Sequence, residues 1–185
     1  GEARVVHANG AREALKRGAP ILVGDRVETS ANGHVHVRFV DHAAVSVRPE
    51  SVLEVQAYHF DAQRPQDNEV RLRVEQGTSR SISGAATEAD KTRFRLNTPI
   101  AAIGVRGTDF IVQADPSGVR ATVSDGAIVV GALGGACLAT ALGEGDEALD
   151  GIAHDRLAVM HRTEIVVHGG VVGVVAVDQA DVALV

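Results

Sequence analysis

Polar and apolar residues alternate with a period of two along much of the chain. Val35, Val37 and Phe39 are interleaved with His34, His36 and Arg38, and the alternation resumes after Asp41-His42 at Val45 and Val47. Successive side chains of a strand face opposite ways, so this text predicts two half-buried strands around a turn. Pro49-Glu50-Ser51 breaks the run and Val52-Leu53-Glu54-Val55 opens the next strand. Strand-sized units recur at 70–74, 92–96, 100–105, 109–114, 119–123, 127–130 and 136–142. The stretch from Thr163 onward reads as a final hairpin about Gly169-Gly170, apolar on both sides. Such a hairpin is expected to be covered by this domain or by a neighbour, a second copy included.

Gly24-Asp25, Asn32-Gly33 and Asp125-Gly126 mark turns, because Gly and Asx residues tolerate positive φ. Short strands between tight Gly/Asp turns predict an all-β chain, a solenoid-like or sandwich-like stack. A loose echo between VHVRFVDHAAVSVRPESVLEV and ATVSDGAIVVGALGGACLAT fits stacked coils or ordinary hairpins equally. The polar stretches 61–69 and 84–91 read as exposed, mobile loops, and 13–17 as a helical turn.

Composition supports strands over helices. Val and Ala dominate an apolar fraction of 45%, with four Phe, one Tyr and no Trp, and β-branched residues suit a pleated surface. The 185 residues suffice for one domain with its own core. Residues 131–185 then form a β-rich continuation of the domain that occupies 1–130. A net charge of −6 argues against nucleic acid or anionic lipid as a partner. No apolar run approaches the roughly 20 residues of a membrane-spanning helix. Cys137, the single cysteine, excludes an intrachain disulfide, and its apolar neighbours predict a buried structural thiol.

Candidate chemistry is sparse. His34 and His36 share one strand face and His42 lies close by, an arrangement that invites zinc. The apolar partners Val35 and Val37 claim the core face, so solvent-facing histidines without metal are expected. Asp25, Asp41 and Asp125 stand beside turn residues, where Asp bonds its own backbone rather than serving as an acid or base. No Ser-His-Asp set, phosphate-binding loop or dinucleotide fingerprint occurs. The expectation is a protein without catalytic activity, cofactor or metal.

The densest signal is Asn97 to Phe110, NTPIAAIGVRGTDF. Pro99 fixes its own φ and keeps Thr98 out of the helical region, so a strand is expected to begin here. Ile100 and Ile103 can anchor a core, and Gly104 and Gly107 permit a bend around Arg106. The guanidinium of Arg106 can tie nearby carbonyls or a carboxylate such as Asp109, or stand exposed as an anchor for a partner's acid. With Thr98, Pro99, Ala101, Ala102, Arg106, Gly107, Thr108 and Phe110 in this order, the segment resembles the hallmark of the FecR domain family. Gly24-Asp25-Arg26-Val27 with Thr29, VRFVDHAAVSVRPES, VEQGTSRSISG and SDGAIVV continue the resemblance over roughly Ala3 to Val130. His42 stands where the family carries Gly, so a different turn type is expected there.

The resemblance implies an extracytoplasmic, β-rich, solenoid-like module for sensing or protein interaction, periplasmic or at the cell surface, with a protein partner in the envelope. In the regulators that name the family, such a domain relays the state of an outer-membrane transducer to a sigma factor. Thr98, Pro99, Arg106, Gly107, Thr108 and Phe110 are then structural. An alternative is a glycan- or peptidoglycan-associated domain. Tyr58, His59 and Phe60 are the aromatic cluster available for it.

Overall fold

A computed structural model of the chain describes residues 1–88, 90–132, 156–160, 163–168, 171–176 and 182–183. Apart from three single-turn 3-10 helices, every regular element among them is a strand. Ten strands precede Ala132: β1 (Ala3–Val6), β2 (Arg12–Ala14), β3 (Arg26–Thr29), β4 (Val35–Arg38), β5 (Ala44–Val47), β6 (Val52–His59), β7 (Glu69–Ile82), β8 (Phe94–Asn97), β9 (Ala101–Ala114) and β10 (Gly118–Ala132). Four follow: β11 (Arg156–Met160), β12 (Thr163–His168), β13 (Val171–Ala176) and β14 (Val182–Ala183). All of them belong to one hydrogen-bonded sheet.

Three long strands organise the sheet by changing partners midway. The first half of β7 pairs with β6 and, in parallel, with β8. Its second half pairs with β5 and β9. Strand β9 likewise passes from β8 to β7 while holding β10 along its whole length. Strand β10 runs from β12 at its start to β11 at its end. The sheet therefore has two wings that share β7, β9 and β10, and curls into a barrel-like form. This is one continuous sheet rather than a repeated coil or two separate layers.

Sheets bend this way where strands carry bulges. The register of β9 against β10 slips on both sides of Asp125, and Gly77, Gly107 and Gly126 all have positive φ. The Asp-Gly pair read above as a turn between two strands is thus a bulge inside the single strand β10, and the units at 100–105 and 109–114 fuse into β9. A turn and a bulge ask for the same left-handed residue, so local sequence does not separate them.

One connected apolar cluster runs through both wings, from Val27, Leu53 and Leu72 through Leu96 and Ile103 to Phe110, Ile128 and Val167. Phe94 meets Phe110 edge to face with centroids 6.1 Å apart. The predicted final hairpin is present as β12–β13, with β12 covered by β10 on its other side. Its Gly169-Gly170 connection, Cys137 and the 136–142 segment lie outside the described residues.

Two local expectations are corrected. Residues 12–14 form strand β2 on β1 rather than a helical turn. The stretch at 84–91 read as an exposed loop is instead anchored, with Gly84, Ala86 and Thr87 buried. The stretch at 61–69 is largely exposed as expected but pinned by buried Asn68, whose Nδ2 donates to the Ala86 carbonyl at 3.3 Å. The side-chain amide satisfies backbone groups of both segments, since its Oδ1 also accepts from Asp61 N at 2.7 Å.

Candidate functional site

The Thr98–Phe110 segment lies at the bend of the sheet. Thr98 is buried and closes the β8–β9 hairpin: its N–H and Oγ1 donate to the Ala101 carbonyl, and Ala101 N donates back to Oγ1, at 2.8 to 2.9 Å. Pro99 pre-sets the φ that a corner residue needs. Thr98-Pro99 is therefore the turn itself, and the strand starts at Ala101. Thr108 is clasped by Ser83, whose Oγ accepts from Thr108 N at 3.0 Å while Ser83 N donates to the Thr108 carbonyl. Phe110 is fully buried.

The carboxylate offered above to Arg106 has another owner. Asp109 accepts from Arg80 Nε at 2.8 Å and from Arg80 Nη2. Arg106 itself pairs through its backbone with Ala127; its side chain lies outside the described residues. Sequence reading missed Arg80 because a cross-strand pair leaves no local spacing signal.

Ser51 repeats the clasp one strand earlier. Its buried Oγ accepts from Thr78 N at 2.8 Å beside Gly77, as Ser83 does for Thr108 beside Gly107. The Pro49-Glu50-Ser51 break in the text thus places a hydroxyl against the bend of β7.

Away from the bend, two buried carboxylates each fix a loop. Asp25 Oδ2 accepts from Leu22 N at 2.8 Å and Oδ1 from His7 Nδ1 at 2.9 Å, while Gly24 N donates to the Val55 carbonyl at 2.7 Å. Asp41 accepts from Tyr58 Oη at 2.8 Å, Ala43 N at 3.2 Å and Ala86 N at 3.1 Å. Asp25 holds one backbone N–H and Asp41 two, as a turn role requires, and each also reaches across the fold. Asp125 sits in the bulge of β10.

Between the two loops so fixed lies an open cleft of about 1010 Å³. One wall is the 15–23 segment and the other is β4 with Phe39 and Val40; Val55 and Tyr58 lie at its base. Leu22, Val23 and Val40 expose 60%, 52% and 75% of their surface here. Large apolar side chains that water reaches from both sides of a cleft form a surface suited to a partner.

The aromatic candidates divide. Tyr58 stacks on Phe39 with centroids 4.9 Å apart, and its phenol is pushed upward in pKa by burial and by the Asp41 hydrogen bond. Phe60 packs against the core and His59 is exposed. The three do not share one open face. His34 and His36 are exposed with ring centroids 4.4 Å apart. Partial burial, His36 and Arg48 all lower the pKa of His34. Among the described residues no three metal-ligating side chains converge.

Comparison with known proteins agrees with this geometry. The family described as FecR protein matches residues 25–129, which includes Asp25, the Asp41 latch, both serine clasps and the bend. No curated protein matches the chain. Two crystal structures of a proposed anti-sigma factor from Parabacteroides distasonis share the fold, with TM-scores of 0.57 and 0.56 at 15% identity. Each alignment covers 82% of this chain, which spans 59% of the length of that protein.

Proposed function

Since the chain belongs to the FecR family, we propose that it is a non-catalytic protein-interaction domain that works outside the cytoplasm in regulatory signalling. The observation that carries the reading is the cleft of Leu22, Val23 and Val40, whose walls the buried residues Asp25 and Asp41 hold in place. Rigid walls spare a partner the entropy of ordering them, which favours binding. The fold it shares with a proposed anti-sigma factor supports a regulatory setting. Carboxylates spent on backbone N–H groups speak for scaffolding over acid–base chemistry. Fusion of the native gene product to a reporter enzyme active only outside the cytoplasm is expected to give signal. Photo-crosslinking residues scanned over exposed positions are expected to capture one discrete protein. A silent fusion, or a scan without a discrete product, would overturn the reading.

A further inference from the structure

Building on the interaction role just proposed, we infer that the cleft receives an extended acidic segment of a partner protein, added as a further strand to the open edge of β4.

Among the described residues β4 pairs with β5 alone. The hairpin bond from Phe39 N to the Ala43 carbonyl sets the alternation of the ladder. Val37 and Val35 then bond toward β5, and His36 and Arg38 present their backbone N–H and C=O groups outward. An outward row of donors and acceptors is a template for another strand. Across the cleft, the 15–23 segment bonds instead to Ala3, to Asp25 and within itself. It forms a wall with room between it and the edge.

Charge selects the occupant. Lys16, Arg17, His34, His36 and Arg38 line the cleft, and no Asp or Glu does. This occurs in a chain whose net charge is −6. The nearby carboxylates Asp25 and Asp41 are buried and already accept hydrogen bonds. Leu22, Val23 and Val40 would receive apolar side chains of the incoming strand. At about 3.3 Å per residue, the four residues of β4 match a partner segment of similar length. In strand addition the main chain supplies affinity and alternate side chains supply specificity. The predicted ligand is therefore apolar at one set of alternate positions and acidic at the other. A second cleft, along β1 and β2, mixes Arg4 and Arg12 with Glu13 and Glu28 and has no such bias.

The test is selection of a displayed library of eight-residue segments on the immobilised chain, followed by affinity measurement with the winning peptides. Enrichment of alternating apolar and Asp/Glu residues is expected. The paired change Lys16→Glu and Arg38→Glu is expected to weaken binding at least tenfold. His36→Pro removes one outward N–H and leaves the backbone ladder to β5 intact, losing on that side only the bond between the His36 ring and Ser46 Oγ, and is expected to do the same. His36→Ala, which loses the ring but keeps the N–H, is expected to weaken binding less. In the unchanged chain, amide exchange at His36 and Arg38 is expected to slow at least tenfold on saturation with peptide. No enrichment, enrichment without acidic residues, or unaltered exchange at both amides would overturn the inference. Discrete crosslinking in cells alongside a failed selection would leave the interaction role standing and remove only this cleft chemistry.

Discussion

His42 holds φ at 69° on an exposed corner of the β4–β5 hairpin. The left-handed region costs an L-residue roughly 1–2 kcal/mol, and Gly enters it freely but loses more freedom on folding. The difference leaves a gain, so His42→Gly is expected to stabilise the chain by about 0.5–1 kcal/mol in urea unfolding, and His42→Ala to give none. A second residue-level expectation concerns His34. Partial burial and the neighbouring His36 and Arg48 disfavour its protonated form when folded, so its folded pKa lies below 6.5. The unfolded chain then binds the extra proton first. His34 therefore costs no stability above pH 6.5 and costs more as pH falls from there through the folded value. Proton NMR is expected to give a His34 midpoint below 6.5, moved upward by Arg48→Ala; a midpoint at or above 6.5 would refute the cause assigned.

At the scale of elements, the bend rests on backbone positions that differ in tolerance. A Cβ on Gly126 would lie 2.0 Å from the Gly107 carbonyl oxygen, whereas one on Gly107 meets nothing within 4 Å. Both have positive φ, so Gly107→Ala is expected to cost about 1–2 kcal/mol from φ alone. Gly126→Ala must also push two strands apart and is expected to cost clearly more, measured by the urea midpoint. The latches can be ranked too. Asp41→Ala strands the N–H groups of Ala43 and Ala86 and the Tyr58 hydroxyl, a loss of about 2–4 kcal/mol, while Tyr58→Phe removes the bond to Asp41 Oδ1 and the longer one from Asp41 N for about 1–2 kcal/mol. The raised Tyr58 pKa means that its contribution is complete below pH 10 and is lost as pH rises through the folded value. Alkaline titration of the phenol absorbance is expected to shift downward in Asp41→Asn. The strands themselves were legible, because period-two alternation records burial directly. So were the roles of Asp25 and Asp41 as turn residues. The fusion of neighbouring units into β9 and β10 was not, because Asp125-Gly126 and Arg106-Gly107 satisfy a turn and a bulge alike. The cleft was hidden for another reason: Leu22, Val23 and Val40 are apolar residues in loops, and only the fold shows that they share one exposed surface.

For the whole molecule, the decisive question is whether the two wings unfold together. Strands β7, β9 and β10 pass through both, and one connected apolar cluster continues across the bend. A local opening of either wing would have to tear long ladders in mid-strand and expose Leu72, Ile103 or Phe110. Cooperative units form where such contacts are shared, so one transition is expected. The single tyrosine makes this measurable. Tyr58 reports on β6, in the first wing, and far-UV circular dichroism reports on all strands. Phe110 lies beyond the bend, where β9 pairs with β7 and β10 at Ser81 and Val123. Phe110→Ala removes a fully buried ring and is expected to cost about 3–5 kcal/mol. If the wings are coupled, that change moves the Tyr58 fluorescence midpoint in urea by the same amount as the dichroism midpoint. A Tyr58 signal that stays in place while the dichroism splits into two steps would mean that the bend is a boundary. The cleft takes β4 from the second wing and Val55 and Tyr58 from the first, so its two sides could then open independently.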